Sequence, residues 1–307
     1  VTVTLLPLFS TLAIRLLQEL FLALPPWLAR ASGVMLGWFT FHILRVRRGL
    51  VQANLARAFG KDPNDPEIRR LAAANFVHYG QLVVEILRLR RVIRGDLENT
   101  VKFEGIEHLQ QACDQGRGVL VLTAHLGNFD LAAIALACAG FPVGFISKQV
   151  KIKQIEDFWM AERSAAGLRI FTRDDSLREL FKALKRNEVL GIILDQHARL
   201  GGVWVDFFGR KASTLKILAV LAERSGAPVV PIFARRRDDG THVVEIQEAV
   251  PLEVRSTREE TALHNTQLYT RIIEEAVRRN PAQWSWIHRR WKDATSIGAS
   301  KGSSIAD

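Results

Sequence analysis

Between Gly116 and Phe233 the chain alternates short unbroken apolar runs with longer amphipathic stretches, and this alternation leaves few folds open. Gly118-Val-Leu-Val-Leu-Thr123 and Val189-Leu-Gly-Ile-Ile-Leu194 are apolar at almost every position. A strand with one face in water would alternate polar and apolar, so both runs read as strands covered on both faces. Pro142–Ile146, Arg169–Phe171 and Pro228–Phe233 read as further strands, and the alternating His242–Ile246 as an edge strand. Leu126–Ala139, Ile152–Ala166 and Thr214–Arg224 read as helices, Ser176–Lys185 is amphipathic, and Thr261–Arg279 reads as a long amphipathic helix stopped before Pro281. The order predicts one α/β domain with a central, mostly parallel or mixed sheet flanked by helices. A chain of 307 residues is long enough to bury its core.

The first 48 residues differ from the rest. Leu5–Leu24 is about one bilayer long, but Arg15, Gln18 and Glu19 interrupt it and Pro25-Pro26 end it. Trp27–Leu44 is apolar again, with Trp27 and Trp38 placed as interface anchors, and Arg45, Arg47 and Arg48 follow. We expect residues 1–48 to be a hydrophobic, membrane-associating helical segment, either a span or an interfacial hairpin. The first apolar stretch has no basic leader and no small-residue cleavage site, so it is not read as a cleavable signal peptide. Gly49–Leu89 reads as helical, broken at Gly60-Lys-Asp-Pro-Asn-Asp-Pro66, with Asp65 capping a helix that starts at Pro66. Residues 49–295 then form the main domain, and 296–307 a small, polar, frayed tail.

The net charge of +10 attracts polyanions without choosing among nucleic acid, anionic lipid and an acidic protein. No helix-turn-helix, zinc-finger or RNP pattern is visible, which weakens the nucleic-acid reading. Cys113 and Cys138 are the only cysteines, too few for a disulfide framework. They point to a reducing compartment, with Cys138 in an apolar run and expected in the core.

The chemistry concentrates at Thr123-Ala-His125-Leu-Gly-Asn-Phe-Asp130, where a buried strand ends and a helix begins. A hydroxyl is a weak nucleophile near neutral pH and needs a base, for which histidine is suited. The imidazole in turn needs a carboxylate on its other nitrogen. Five helical steps leave two side chains about 140° apart. His125 and Asp130 can therefore meet only if His125 lies in the entry turn, which Gly127 and Asn128 permit. N–H groups at the helix start could hold an oxyanion. A metal hydrolase built on His125, Asp130, Asp195 and His197 is a rival reading, but the His-Glu-x-x-His spacing is absent.

Four blocks carry a family resemblance. His125-Leu-Gly-Asn-Phe-Asp130 resembles the His-x4-Asp/Glu block of glycerolipid and lysophospholipid acyltransferases. Asn54-Leu-Ala-Arg-Ala-Phe59, then Leu194-Asp-Gln196 with Val205-Asp-Phe-Phe-Gly209, Ala212 and Thr214, and finally Gln283-Trp-Ser-Trp-Ile-His-Arg-Arg-Trp-Lys292 are similar to segments of the bacterial lipid A biosynthesis (lauroyl/myristoyl) acyltransferases. The resemblance covers roughly Arg45 to Lys292. It implies that His125 removes a proton from an acceptor hydroxyl, that Asp130 orients His125, and that the hydroxyl attacks a thioester without an acyl-enzyme. The lack of Gly-x-Ser-x-Gly agrees with direct attack.

Beyond the pair, the resemblance implies substrate-binding roles for Gly127, Asn128, Lys148, Arg163, Asp195 and Gln196. Arg163 could pair with a phosphate or with Asp195. Lys148 stands where many relatives have arginine and would bind phosphate as a point charge. The terminal block either fixes phosphate or carrier contacts, or packs its tryptophans in the core with the arginines solvated outside. The implied co-substrate is an acyl carrier protein or CoA thioester, with no metal or other cofactor. The implied acceptor is a lipid A precursor, or else a phospholipid or phosphatidylinositol mannoside. The implied location is the cytoplasmic face of a bacterial inner membrane.

Overall fold

A computed structural model describes residues 2–147, 151–172 and 177–292. The N-terminal part is helical: α1 (Thr2–Ala23), α2 (Pro26–Phe39), α3 (Arg48–Phe59), α4 (Pro66–Leu87), and the short α5 (Arg90–Ile93) and α6 (Leu97–Thr100). After it come β1 (Val101–Glu104), α7 (Ile106–Cys113), β2 (Val119–Thr123), α8 (Phe129–Cys138), β3 (Val143–Ser147), α9 (Lys153–Ala165), β4 (Arg169–Thr172), α10 (Leu177–Lys185) and β5 (Val189–Ile193). The chain continues through β6 (Gly202–Phe207), β7 (Arg210–Leu215), α11 (Ile217–Ser225), β8 (Val229–Arg236), β9 (His242–Ile246) and α12 (Arg258–Arg279).

Seven strands form one sheet in the order β1-β9-β8-β2-β5-β3-β4, and β6-β7 make a separate antiparallel hairpin. Strands β8, β2, β5, β3 and β4 are mutually parallel; β9 runs antiparallel to β8, and β1 parallel to β9. The unbroken apolar runs are explained by side-chain alternation. Leu120 and Leu122 of β2 enter one core, with Leu190, Ile192, Phe207, Tyr269 and Trp284. Val119 and Val121 enter a second core on the other face, with Ile134, Leu136 and Val189. Successive residues point to opposite faces, so a strand between two cores has no position for a polar side chain.

Several sequence-based boundaries move. The helix expected over Leu126–Ala139 starts at Phe129, because Leu126 and Gly127 are held in an extended contact with Trp284 and Gln283. The helix expected from Thr214 starts at Ile217; Thr214 and Leu215 pair with Val203 and Gly202 in the hairpin. β1 and α7 were not anticipated. Cys138 is exposed at the end of α8, not in the core, while Cys113 is buried. Ser176 and the tail 296–307 lie outside the described residues. Asp65 caps α4 as expected: its Oδ1 accepts from the Glu67 N–H at 2.7 Å, with Pro66 in the first helical position.

Among the described residues no helix is long and apolar enough to cross a membrane, so a spanning segment is not found there. Helix α2 instead lies on α4 at a glycine contact. A Cβ on Gly37 would sit 2.3 Å from Val77 Cα, and one on Gly80 would sit 2.2 Å from the Gly33 carbonyl oxygen. The two backbones touch, and neither can yield to a side chain. After Phe39 the chain widens into a π-turn, Thr40–Leu44, closed by the Arg45 N–H on the Thr40 carbonyl at 2.8 Å. Most large apolar side chains left exposed lie between Leu12 and Val46, including Leu16, Leu20, Trp27, Met35 and Trp38.

The glycine contact sets an expectation. Gly37→Ala destabilises the protein by about 1–3 kcal/mol. Gly49→Ala, where a new Cβ meets nothing within 4 Å, is neutral or stabilising by up to about 1 kcal/mol. Denaturant melts of both variants check this; equal midpoints would refute the close-packed α2–α4 contact.

Candidate active site

The register of the sheet brings His125 and Asp195 together. Thr123 of β2 and Ile193 of β5 are paired neighbours in parallel strands. Two residues beyond each lie His125 and Asp195, so both leave the carboxyl edge of the sheet side by side. The Asp195 carboxylate is buried, and three donors satisfy it. His125 Nδ1 lies 2.7 Å from Oδ1, the His125 backbone N–H donates to Oδ2 at 2.7 Å, and Trp284 Nε1 donates to Oδ2 at 2.7 Å. With Asp195 ionised, the imidazole proton belongs on Nδ1, which leaves a lone pair on Nε2. Gln196 Nε2 lies 3.2 Å from that Nε2.

Electrostatics follow from this packing. Burial opposes charging of His125, but the Asp195 carboxylate and its hydrogen bond outweigh burial and hold the imidazole pKa above its ordinary value, with a smaller push from Asp130. Burial likewise opposes ionisation of Asp195, yet His125 and the hydrogen bonds to the carboxylate lower its pKa. His288 is pushed down to about 4, chiefly by burial, and His197 is also lowered by burial and by nearby cations.

The expected contact between Asp130 and His125 is not the one formed. Asp130, in the first turn of α8, is buried and accepts from Arg163 Nε at 2.9 Å and from a terminal nitrogen of the same guanidinium at 2.7 Å. No hydrogen bond joins it to His125 among the described residues. The reason is geometric: His125 precedes the helix by four residues and its ring turns toward β5, while Asp130 turns toward α9. Arg163 correspondingly pairs with Asp130, not with Asp195.

The remaining expected residues divide. Gln196 is brought to His125. Asn128 is fully buried and caps α8: its Oδ1 accepts from the Leu131 N–H at 2.9 Å, and its Nδ2 donates to Glu85 at 3.0 Å. One N–H of the proposed oxyanion site is thereby taken. Gly127 has φ +60°, and a Cβ there would stand 2.1 Å from the Ala234 carbonyl oxygen. Both residues shape the turn, and both polar side-chain atoms of Asn128 have protein partners. Lys148 lies outside the described residues. Among the described residues no three His, Cys, Asp or Glu side chains gather as a metal-ligand group.

The terminal block holds the turn from behind. The Gly127 N–H donates to the Gln283 carbonyl at 3.0 Å, and the Ser285 N–H donates to the His125 carbonyl at 3.1 Å. Asn75 donates to the carbonyls of Ala282 and Trp284, both at 2.8 Å, and Asn54 to those of Trp286 and His288 at 2.7 and 2.9 Å. Trp284 and Trp286 are core residues, as the packing alternative expects. Arg290 is not solvated: it is 1% exposed and donates to the Gln196 and Ser213 carbonyls at 3.1 and 2.6 Å. The sequence offered no sign of Tyr79, whose hydroxyl donates to Ser285 Oγ at 2.7 Å, or of Glu85 and Arg236, which form an ion pair behind Asn128.

The family model for bacterial lipid A biosynthesis acyltransferases matches residues 8–293. The chain is 26% identical to a phosphatidylinositol mannoside acyltransferase of Mycolicibacterium smegmatis, over 78% of this chain and 78% of that one. It is 27% identical to the lipid A biosynthesis lauroyltransferase of Escherichia coli, over 85% of this chain and 84% of that one. It is 25% identical to a lipid A biosynthesis acyltransferase of Haemophilus influenzae, over 82% and 78%.

The His125–Asp195 pair makes a signed expectation. An NMR titration of the His125 ring has its midpoint above the ordinary value of about 6.5. Asp195→Asn removes the two larger contributions that raise it and leaves burial, the largest effect, against only the smaller push from Asp130, so the midpoint falls below that value. An unchanged midpoint in the variant would refute the pairing.

Proposed function

This chain belongs to the bacterial lipid A biosynthesis acyltransferase family and is an acyltransferase of lipid biosynthesis, and from that premise we propose that it moves a fatty acyl chain from a thioester, on acyl carrier protein or CoA, to a hydroxyl of a lipid A precursor. The observation that carries the mechanism is His125 held on its Nδ1 side by a buried carboxylate, with only Gln196 at its Nε2. The acceptor hydroxyl takes the place of Gln196 at Nε2 and gives its proton to His125. Its oxygen attacks the thioester carbonyl, the C–S bond breaks, and His125 returns the proton to the leaving thiolate. Asp195 fixes the ring and stabilises the imidazolium while it exists. No acyl-enzyme forms, and no metal or other cofactor takes part. Asp130 and Arg163 brace the turn from α9.

A second acceptor is favoured by one observation: the match to the mycolicibacterial enzyme, named for a phosphatidylinositol mannoside, is as close as those to enzymes named for lipid A. The chemistry at His125 is the same for either.

The exposed apolar side chains of α1 and α2, followed by Arg45, Arg47 and Arg48, support an interfacial seat for the N-terminal segment on the cytoplasmic face of the bacterial inner membrane. Nucleic acid is not a partner in this reading. A catalytic domain seated there reaches a lipid acceptor in the membrane and a thioester donor in the cytoplasm.

Mass spectrometry of lipids after incubation with acyl carrier protein thioesters or acyl-CoAs tests the reaction. A lipid A precursor gains one acyl chain, and His125→Ala lowers the rate by about 10²–10⁴-fold. Gain only on a glycosylated phosphoinositide would move the acceptor; an undiminished rate in the variant would sink the mechanism. The interfacial seat is tested by Leu16→Glu with Trp27→Glu, which should cut pelleting with anionic vesicles while leaving the melting midpoint near wild type. Undiminished pelleting would reject it.

A further inference from the structure

Helix α9 has two working faces. Phe158 and Glu162, four residues apart, share one; Trp159 and Arg163 share the next, about 100° round the axis. The second face serves the site. Arg163 pairs with Asp130, and its guanidinium lies 5.7 and 5.4 Å from the ring centres of Phe145 and Trp159. The first face serves α1. Glu162 has no solvent exposure; it accepts from Arg15 Nη1 at 2.7 Å and from Arg90 Nε at 3.0 and 3.1 Å. The Arg15 guanidinium also lies 5.2 Å from the centre of the Phe158 ring and donates to the buried Gln18 at 2.9 Å.

A carboxylate with no exposure is costly to bury and is kept only with cations around it. An apolar side chain of similar size would pack α9 on α1 as well or better, so packing alone does not account for Glu162. What an apolar residue would lack is direction. Two guanidinium groups from α1 and α5 converge on one carboxylate and fix the rotation of α9 about its own axis. The neighbouring residue on that helix is Arg163.

We propose that Glu162 is a positioning residue for the acyl-transfer site, through which Arg15 of α1 sets the rotation of α9 and so the seat of Arg163 on Asp130. The inference rests on the acyl-transfer reading for its kinetics, but not for its geometry. Adjacent residues on one helical turn move together, so a rotation that released Glu162 from Arg15 would carry Arg163 off Asp130. Asp130 stands at the start of the helix that follows the His125 turn, and the turn would lose its brace on that side. Helix α1 also exposes Leu12, Leu16 and Leu20. The element that bears on the site through Arg15 is thus the one that presents an apolar surface outward.

The test uses the full chain with Arg15→Gln, Arg15→Lys, Asp130→Asn and the double variant Arg15→Gln/Asp130→Asn. In Arg15→Gln the Glu162 carboxylate keeps Arg90, so the fold is retained; the melting midpoint checks this. With a thioester donor and lipid acceptor, Arg15→Gln is expected to lower kcat about 10-fold with KM and vesicle pelleting near wild type. Arg15→Lys restores most of the rate. In the Asp130→Asn background the same substitution costs less than twofold, since both act through one pair. A kcat within twofold of wild type for Arg15→Gln, or full multiplication of the two losses in the double variant, would overturn the proposal. So would a rate loss that tracks lost vesicle pelleting. Hydrogen exchange of the Arg163 Nε–H, followed by NMR, reads the same coupling without turnover. It accelerates at least 10-fold in Arg15→Gln if Glu162 acts as stated, and unchanged exchange refutes it. A wild-type protein that transfers no acyl chain while showing this exchange effect would reject the acyl-transfer reading alone.

Discussion

The structure around the site depends on one buried carboxylate. Asp195 is removed from water, and a charge so placed needs donors on both oxygens. It draws them from two distant parts of the chain: the turn after β2 gives the His125 ring and backbone N–H, and the terminal block gives the Trp284 indole. Placing that indole requires the segment 283–285 to lie along 125–127, and the segment is held there by Asn75 on the Ala282 and Trp284 carbonyls and by Asn54 on those of Trp286 and His288 just beyond it. Blocks far apart in sequence are therefore parts of one hydrogen-bonded shell around a single ion. Truncating one donor would leave the charge short of a partner and cost more than the bond itself is worth.

A second carboxylate does a different job nearby. Asp130 is also buried, but its partner is a permanent cation. The Asp195 partner can lose its proton, and the Asp130 partner cannot. The first arrangement suits a group that must cycle between charge states, the second a fixed brace. Two acids that both act on the charge of one histidine are thus separated by what faces them, and sequence spacing does not decide their roles.

Much of the sheet was legible because strands buried on both faces have a sequence signature that needs no partner to read. β2 and β5 are continuous apolar runs, and the edge position of β4 agrees with its shorter, mixed pattern. The β6–β7 hairpin was not legible: Thr214 and Leu215 continue smoothly into the apolar α11, and nothing local marks where extended backbone gives way to helix. The site was half legible. His125 stands out because a histidine after a buried strand has an obvious use. Its carboxylate does not, because strand order sets that contact and the two residues are 70 positions apart. Spacing within His125–Asp130 allowed a meeting but could not require one. Arg15, Gln18 and Glu19 look like interruptions of a membrane segment; in the structure Arg15 joins α1 to Glu162 of α9 and Glu19 joins it to Arg90 of α5, while Gln18 accepts from Arg15 within the helix.

Helix α4 shows how the apolar N-terminal surface and the His125 turn become one body. Gly80 lets α2 approach backbone to backbone, which fixes the exposed Trp27 and Met35 relative to α4. Before it on the same helix Asn75 and Tyr79 reach the terminal block, and beyond it Glu85 joins Asn128, the cap of α8, to Arg236 at the end of β8. A helix is stiff over these few turns, and each contact is a hydrogen bond or a backbone contact with little slack. The exposed apolar surface and His125 are therefore held at a fixed separation, which is what the proposed reaction between a membrane-held hydroxyl and a thioester in water would require. On that proposal the acceptor would meet His125 at a constant depth, with orientation built into the fold before either substrate binds.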